Sequence, residues 1–422
     1  MKILMLTTVY PRPDSPKNTS ATRVIQHFTE SWQQMGHEVV VIHTVNKLFP
    51  LIYFLPESVK RLIKSRTTYE VSDYSIVCEK DYKINGIPVF RKPLFKWIPR
   101  GLTSARTIRR CARSIADDLQ KIGFVPDVIL GHWASPSAQL LSELKSYFPA
   151  PNALVFHSIH YARMYPQALK ACIRRIDRIG CRSETLAKAV KQRLELAEMP
   201  FVCYSGIPDA AAAQEFTRCF DGCVSRFLYV GELIVRKNAD TILEALSRLM
   251  DRAWTLDIVG SGNERGALEE KAAALGIAGR VRFHGRIPRE DVFRLMHEAD
   301  VFTMVSRDEA FGLVYLEAMI EGCITVGSVQ EGIDGIIHNG QNGFLCTAGN
   351  PDELAQIYRS IFDMAKDQRA AMSRLAYQTA RELSNSAVAG RYLRDVLGMP
   401  LCDGGAFRPV PKFFLFCCRC DK

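Results

Sequence analysis

The segment that decides the fold is Ala299–Val305 (ADVFTMV), which runs directly into Ser306–Glu317 (SRDEAFGLVYLE). The first part is an apolar run typical of a buried strand, and the pattern after Gly312 predicts a helix. A strand, a tight glycine turn and a helix start favour anion binding, because the first helical turn has unpaired N–H groups and a positive dipole end. Glu309 and Glu317 add hydrogen-bond acceptors there. A ligand that combines phosphate with many hydroxyls, such as a sugar nucleotide, fits this pattern.

Short apolar runs alternate with helical patterns along the chain, which predicts an α/β protein with parallel sheets. The predicted strands of the first half are Lys2–Leu6, Glu38–His43, Val89–Arg91, Val128–Gly131, Ala153–His157 and Phe201–Tyr204. Those of the second half are Phe227–Val230, Thr255–Val259, Val281–His284, Val301–Val305, Ile324–Val326 and Phe344–Cys346. The break between the series predicts two domains, residues 1–205 and 206–385, with a ligand cleft between them.

Composition agrees with a globular chain of two domains, since 47% of the 422 residues are hydrophobic and 24% are charged. The N-terminus is too short for a signal peptide, and the apolar stretch Leu48–Pro56 is too short to span a membrane. The 13 cysteines are scattered, and the cluster Cys417–Cys420 has no second ligand pair at zinc-site spacing. We therefore expect a cytoplasmic protein without a metal.

The net charge of +10 lies in one segment. Residues 47–113 hold 15 Lys/Arg and 5 Asp/Glu, which accounts for the whole excess. The same segment also contains aromatic and apolar residues. Basic residues together with aromatic and apolar ones fit an anionic membrane surface. We expect a peripheral protein at the inner membrane face. Nucleic acid would also be attracted by such a charge, but we do not expect it as the partner.

Residues 306–317 resemble the signature of the glycosyl transferases group 1 family (glycosyltransferase family 4), whose members have two Rossmann-like domains in the GT-B arrangement. The resemblance implies a retaining hexosyltransferase that moves a sugar from a nucleotide-sugar to a glycan or lipid-linked acceptor, in surface polysaccharide biosynthesis. It also implies a reaction without metal, and the sequence contains no Asp-x-Asp motif that would hold one. By analogy with the family, residues 386–422 pack back on the first domain.

The resemblance also assigns roles within this signature. Glu309 would contact the transferred sugar, and Glu317 would accept hydrogen bonds from the ribose hydroxyls. The backbone N–H groups of Phe311, Gly312 and Leu313 would hold sugar or phosphate oxygens.

Residues 231–238 (GELIVRKN) resemble the phosphate-binding turn of the family. Gly231 begins the turn, and Lys237 falls on the family's lysine, at the start of a predicted helix. The family has an arginine where this chain has Glu232, and a carboxylate beside pyrophosphate would weaken binding. Arg236 is our candidate to replace the missing cation.

Two further loops complete the donor candidates. Gly260 and Gly262 follow a predicted strand and resemble a family loop near the donor. His284, Gly285 and Arg286 end the next strand, in a segment that meets the nucleobase in the family. Because these loops follow consecutive strands, we expect them at one edge of the sheet.

The acceptor side is expected in the first domain. His157 ends a predicted strand where the family often has a histidine near the reacting sugar, and His132 lies in another segment that matches the family. The family's N-terminal Gly-Gly loop is missing, because residues 11–22 hold Pro, Ser, Asn and Thr instead.

Other interpretations remain open at this stage. Glu232 favours a non-catalytic nucleotide-sugar binding or assembly subunit, and the same scaffold would also serve a sugar-nucleotide epimerase. A NAD dehydrogenase is disfavoured, because Thr7–Tyr10 follows the first strand in place of a Gly-x-Gly-x-x-Gly turn.

Overall fold

The computed structural model describes residues 1–12, 23–61, 80–96, 102–158, 165–220 and 222–399. Three features discussed above fall wholly or partly outside these ranges: the loop at residues 11–22, the basic segment at residues 47–113, and the cysteine-rich tail.

The N-terminal domain is built on one eight-stranded sheet with the strand order β3-β4-β2-β1-β5-β6-β7-β8. All neighbouring pairs are parallel except β3 and β4. Its elements are β1 (Lys2–Thr7), α1 (Val24–Gln34), β2 (Glu38–Lys47), a 3₁₀ turn (Pro50–Phe54), β3 (Tyr82–Ile84), β4 (Ile87–Phe95), α2 (Ala105–Lys121), β5 (Val128–His132), α3 (Ala134–Leu144), β6 (Asn152–Phe156), α4 (Gln167–Ile173), β7 (Arg178–Cys181), α5 (Glu184–Leu194), β8 (Phe201–Val202) and α6 (Asp209–Ala212).

The C-terminal domain is built on a six-stranded parallel sheet with the order β11-β10-β9-β12-β13-β14. Its elements are β9 (Arg226–Val230), a 3₁₀ turn (Val235–Lys237), α7 (Ala239–Ser247), β10 (Thr255–Val259), α8 (Arg265–Ala274), a second 3₁₀ turn (Ala278–Arg280), β11 (Val281–Gly285), α9 (Arg289–Glu298), β12 (Val301–Thr303), α10 (Leu313–Ile320), β13 (Ile324–Ser328), β14 (Phe344–Cys346), α11 (Pro351–Asp363), α12 (Lys366–Arg381) and α13 (Asn385–Leu397).

The central strands are apolar because helices cover both faces of each sheet. Strand β1 is buried from Ile3 to Thr7, and β13 is buried along its whole length. Parallel strands end at a common edge, so the loops that follow them gather there. The two domains turn these edges toward each other, and the interdomain cleft lies between them.

The last helix, α13, packs on the N-terminal domain. The Trp32 indole in α1 donates a hydrogen bond of 2.9 Å to the carbonyl of Ala389, and the Tyr392 ring lies 5.3 Å from Phe28 and 5.6 Å from Trp32 between centroids. The chain therefore begins and ends its described part on the same domain.

The described residues contain neither a membrane-spanning helix nor a metal-binding cluster. None of their helices is long and apolar enough to cross a membrane, and no group of three or more His, Cys, Asp or Glu side chains in them is arranged to hold a metal ion.

Candidate active site

Glycines bring the first two loops of the C-terminal domain into direct contact. A Cβ atom on Gly260 would lie 1.8 Å from the carbonyl oxygen of Gly231, and one on Gly262 would lie 2.0 Å from that of Leu233. The Leu233 N–H donates to the Ser261 carbonyl at 3.1 Å, which joins the loops further. Only glycine fits at this separation, so these residues shape the floor of the cleft through their backbone.

The loop after β9 places Lys237 beside Glu309. The lysine ammonium is buried and donates a hydrogen bond to the Glu309 carboxylate, and Arg236 approaches the same carboxylate at 4.0 Å. Two contacts hold the loops in register: the Arg307 N–H donates to the Arg236 carbonyl at 2.7 Å, and the Asn238 amide donates to the Val305 carbonyl at 2.7 Å. The site therefore carries a buried charge pair with a second, half-exposed cation at its mouth.

Glu232 lies at the mouth of the same loop and is exposed. Its backbone carbonyl accepts a 2.9 Å hydrogen bond from the Tyr229 hydroxyl, while its carboxylate contributes negative charge near that phenol. Burial, reinforced by the charges of Glu309 and Glu232, raises the pKa of Tyr229. The carboxylate thus adds a negative charge to the edge of an otherwise basic loop.

Gly312 turns the chain into α10. Its φ of 78° is in the left-handed region, and a Cβ atom there would lie 2.5 Å from the Tyr315 ring. The Tyr315 hydroxyl donates to the Met304 carbonyl at the end of the preceding strand. This arrangement leaves the first N–H groups of α10, including that of Leu313, available to an anion.

Phe311, by contrast, turns its side chain toward the other domain. The ring is buried, with its centroid 5.8 Å from that of Tyr204 and 5.8 Å from the guanidinium carbon of Arg182. Its side chain is therefore a contact between the domains, and only its backbone faces the helix start.

Glu317 lies on α10 with its carboxylate mostly buried and paired with Arg289 at the start of α9. Burial raises the pKa of this carboxyl, and the Arg289 charge opposes the shift. A ribose hydroxyl would therefore meet a carboxylate that already has one cationic partner.

The loop after β11 presents backbone rather than side chains to the cleft. The Gly285 carbonyl accepts a 2.8 Å hydrogen bond from the Gly260 N–H, and Arg286 is exposed. The His284 ring is turned away: its Nε2 is 2.6 Å from a carboxylate oxygen of Asp257, and it lines a separate hollow with Arg226 and Arg280, at the amino ends of the strands. Of this segment, the structure brings only backbone groups near the other donor loops.

His157 lies across the cleft, just after β6. Its ring stacks on Trp133 with 4.1 Å between centroids and an interplanar angle of 14°, and its Nε2 is 2.8 Å from His132 Nδ1. His132 is completely buried at the end of β5. Burial, with the nearby Arg182 charge, holds the pKa of both histidines well below the ordinary range.

A cavity of about 150 Å³ joins the two walls. His157, Ser158 and Thr185 line it from the N-terminal domain. Glu309, Ala310 and Glu331 line it from the C-terminal domain. The cavity therefore has Glu309 on one wall and His157 on the other, and Lys237 lies behind the first wall in contact with Glu309.

Sequence reasoning missed Glu331. Its carboxylate accepts a 2.8 Å hydrogen bond from the Glu309 N–H, and burial raises the pKa of this group. Gly332 beside it has no room for a side chain, because a Cβ atom would lie 2.4 Å from the Phe311 nitrogen. A Glu-Gly pair in the loop before a short strand gives no periodic signal, so only the folded chain shows that Glu331 supports the Glu309 backbone.

Solved structures of other proteins share this architecture over almost the whole chain. The apo form of the lipopolysaccharide outer core galactosyltransferase WaaB has a TM-score of 0.64 at 15% identity, with 94% of this chain and 99% of that chain covered. Anabaena Alr3699/HepE in complex with UDP has a TM-score of 0.65 at 18% identity, with 94% and 100% covered. Together with the two parallel sheets and the cleft between them, this likeness defines the chain as a GT-B fold protein.

Sequence comparison identifies the family. Residues 224–379 match the family Glycosyl transferases group 1. The lipopolysaccharide core biosynthesis glycosyltransferase LpsE of Rhizobium meliloti (strain 1021) is 26% identical over 279 residues, which are 65% of this chain and 77% of that protein. Together these comparisons support a group 1 glycosyltransferase, and the matched region contains all of the donor-side residues described above.

Proposed function

We propose that this glycosyltransferase moves a sugar from a nucleotide-sugar to a glycan or lipid-linked acceptor of surface polysaccharide biosynthesis, with retention of configuration and without a metal. The observation that carries the proposal is the ion pair of Lys237 and Glu309 beside a cavity that Glu309 lines from one domain and His157 from the other. The complex of HepE with UDP and the part of LpsE in lipopolysaccharide core biosynthesis support the donor and acceptor classes.

The chemistry follows from the charges. Departure of the nucleotide develops negative charge on its phosphate, which Lys237, Arg236 and the N–H groups of α10 would stabilise. Glu309 would accept hydrogen bonds from the sugar hydroxyls, and Glu317 from the ribose. The acceptor hydroxyl would attack from the same face, with the departing phosphate oxygen taking its proton, so no protein nucleophile is required.

The acceptor's location is part of the proposal. Arg106, Arg109, Arg110 and Arg113 are all exposed along one face of α2, and none pairs with a carboxylate of the described residues. Leu51 and Phe54, 68% and 73% exposed, lie in the 3₁₀ turn that follows β2. Strands β2 and β4 are neighbours, and α2 begins ten residues after β4, so the apolar turn and the basic face share one side of the domain.

An anionic membrane surface fits this combination, and it would bring a lipid-linked acceptor to the N-terminal domain. Not every basic residue of the segment 47–113 can contribute to membrane binding. Lys92 pairs with Asp118, and Lys96 is 7% exposed, so both are turned into the domain.

Two experiments test the function. Purified protein is incubated with a panel of radiolabelled nucleotide-sugars, with and without a lipid extract that supplies acceptors. If an α-linked nucleotide-sugar gives a lipid product whose new glycosidic bond is also α, the result supports a retaining transferase. Binding without turnover would support a non-catalytic subunit, and conversion of the donor without acceptor would support an epimerase.

Sedimentation with vesicles tests the membrane part. We expect binding to phosphatidylglycerol vesicles that is lost when Arg109 and Arg113 are replaced by Glu and kept when Arg374 and Arg381, exposed on α12, are replaced likewise. Equal loss from both pairs would mean that only net charge matters.

A further inference from the structure

Two buried side chains, Tyr392 and His132, and the cavity-lining His157 form a hydrogen-bonded chain in the N-terminal wall of the cleft. The Tyr392 hydroxyl of α13 lies 3.2 Å from His132 Nε2, and His132 Nδ1 lies 2.8 Å from His157 Nε2. Tyr392 and His132 are 1% and 0% exposed, and His157 lines the cavity. The active-site roles proposed above use only the last of the three.

Both histidines are neutral in this environment. Burial is the main cause that lowers the pKa of both rings; the Arg182 charge is the next cause for His132, and for His157 it follows the effect of the neighbouring His132. The rings are in contact with the uncharged Tyr392 and Trp133, the thiol of Cys203 lies beside Arg182, and the carboxylates of Asp308, Glu309 and Glu331 line the cavity that His157 faces. A neutral imidazole carries a proton on one nitrogen and accepts on the other, so the chain has a direction.

The tyrosine sets that direction. Burial raises the pKa of Tyr392 well above its ordinary value, so the phenol keeps its proton. Within the part of the chain that the structure describes, His132 Nε2 is the only hydrogen-bond partner of this hydroxyl. A buried hydroxyl that does not donate is costly, so Tyr392 donates to Nε2 and His132 must carry its proton on Nδ1. His132 then donates to His157 Nε2, which leaves the proton of His157 on Nδ1.

We propose that Tyr392 and His132 are positioning residues that hold His157 as the neutral Nδ1–H tautomer, a hydrogen-bond donor toward the cleft. The Trp133 ring fixes the plane of His157, and the bond from His132 selects one of the two flips within that plane. This inference rests on the proposed transfer reaction. It adds to that reaction a hydrogen bond that His157 donates to an oxygen of the transferred sugar or of the departing phosphate. The opposite tautomer would place a lone pair against that oxygen.

The helix that crosses from the C-terminal domain therefore contributes to chemistry on the N-terminal wall. Its tyrosine reaches the site through one intermediate ring, and the Trp32–Ala389 hydrogen bond anchors it one turn away. Correct docking of α13 and the correct tautomer of His157 are thereby linked.

Nuclear magnetic resonance of protein labelled with ¹⁵N-histidine tests the assignment without any substrate. The His157→Asn variant identifies the His157 signals. We expect the wild type to show Nδ1 protonated and Nε2 unprotonated at neutral pH, and Tyr392→Phe to give a mixture of tautomers. A proton on Nε2 of His157 in the wild type, or an unchanged tautomer in Tyr392→Phe, would overturn the proposal.

Kinetics test the consequence. Tyr392→Phe keeps the ring and should lower kcat about tenfold, with the donor KM changed less than about twofold, as for a hydrogen bond made mainly in the transition state. Tyr377→Phe is the matched control, because it removes another buried phenol hydrogen bond, to the Gln214 carbonyl in the C-terminal domain. An equal loss of kcat in both variants would indicate a structural role and count against the proposal.

A rescue experiment sharpens the result. His132→Asn places an amide donor near the position of Nδ1 and should keep most of kcat, whereas His132→Phe should lose it. If the His132→Phe variant has the same kcat as the His132→Asn variant, the hydrogen-bonded chain has no role in the reaction. If the wild type shows the Nδ1–H tautomer but transfers no sugar from any donor, the proposed function fails while the tautomer assignment stands.

Discussion

The C-terminal wall of the cleft consists of loops that follow neighbouring strands of one sheet, whereas the N-terminal wall combines the ends of two neighbouring strands with a side chain from the last helix of the chain. Lys237, Gly260 and Glu309 follow β9, β10 and β12, which are adjacent in the order β10-β9-β12. His132, His157 and Tyr392 come from β5, the end of β6 and α13. A site made from adjacent loops leaves a local sequence pattern, and a site made by packing does not.

The two walls also differ in electrostatics. The C-terminal wall holds ionised pairs, Lys237 with Glu309 and Arg289 with Glu317. The N-terminal wall places one imidazole, that of His157, and hydroxyls at the cavity, with its cation, Arg182, buried behind them. This difference suits a reaction in which a charged nucleotide departs on one side and a neutral hydroxyl approaches from the other.

The largest effect is expected at the buried cation of the C-terminal wall. Lys237→Ala should lower kcat/KM by ~10²–10³, because it removes charge stabilisation of the departing phosphate. Steady-state transfer assays with the donor varied would measure this. Lys145→Ala, which breaks an ion pair with Asp177 elsewhere in the N-terminal domain, is the control. A drop of less than about threefold for Lys237→Ala would remove it from the proposed mechanism.

A steric effect should follow in the same wall. Gly260→Ala places a Cβ atom 1.8 Å from the Gly231 carbonyl oxygen at a φ of 136°, so we expect a loss of roughly 2–4 kcal/mol in unfolding free energy and most of the activity. Gly266→Ala, in α8 with open space around its Cβ position, should instead stabilise by about 0.5–1 kcal/mol. Urea unfolding of both variants makes the comparison. Similar stabilities would show that the loops separate easily.

A substitution of Glu232 is expected to improve donor binding, whereas the two substitutions above impair the protein. Glu232→Arg replaces an exposed negative charge with the cation expected from the family resemblance and should tighten nucleotide-sugar binding about tenfold. Titration calorimetry with the nucleotide-sugar that the panel experiment selects measures the change. Glu232→Gln should give part of the gain through charge removal alone. Weaker binding in Glu232→Arg would mean that Arg236 already occupies the position where the new side chain would act.

The last prediction concerns how the stability of the protein depends on pH through the histidines of the N-terminal wall. His132 and His157 have depressed pKa values in the folded state, so below about 6.5 the unfolded chain binds protons that the folded chain does not. Stability should therefore fall as pH is lowered from 7 to 5, by up to about 1.4 kcal/mol per pH unit for each histidine. His43, whose pKa burial lowers to about 3, adds to this slope, and the raised carboxyl pKa of Glu317 opposes it.

Denaturant unfolding at several pH values, with His132→Asn as the test variant, measures this slope. The variant should show a shallower fall than the wild type, and the exposed His338→Asn should not. A wild-type slope that His132→Asn leaves unchanged would contradict the buried neutral pair.

The fold was more predictable in the second half of the chain than in the first. All six strands of the C-terminal sheet were predicted to within two residues at each end, and Thr255–Val259 and Phe344–Cys346 match the structure at both ends. In the N-terminal domain, β7 was missed because Arg178–Cys181 has no apolar run. Gly180 is there because a Cβ atom would lie 2.5 Å from the Phe201 ring, a contact that no sequence pattern reveals.

The candidate site follows the same division. The sequence indicated Lys237, Glu309 and Glu317 through their place after strands and before helices. It suggested a side-chain role for none of Glu331, Arg182 and Tyr392, which lie 22 residues from Glu309, 25 from His157 and 260 from His132 respectively. The family resemblance led us to expect the segment of His284 near the donor, largely through its backbone atoms, and in the structure the His284 ring turns toward Asp257.

The sequence by itself determined the α/β class, the position of the donor loops and the chemical types they carry, because strand periodicity, glycine turns and helix starts are local properties of the chain. Only the tertiary structure decided which side chains meet across the cleft, which cations of the basic segment reach solvent, and which nitrogen of His157 holds a proton. Those outcomes depend on distances between residues far apart in the chain, and burial and hydrogen bonding are set by such distances alone.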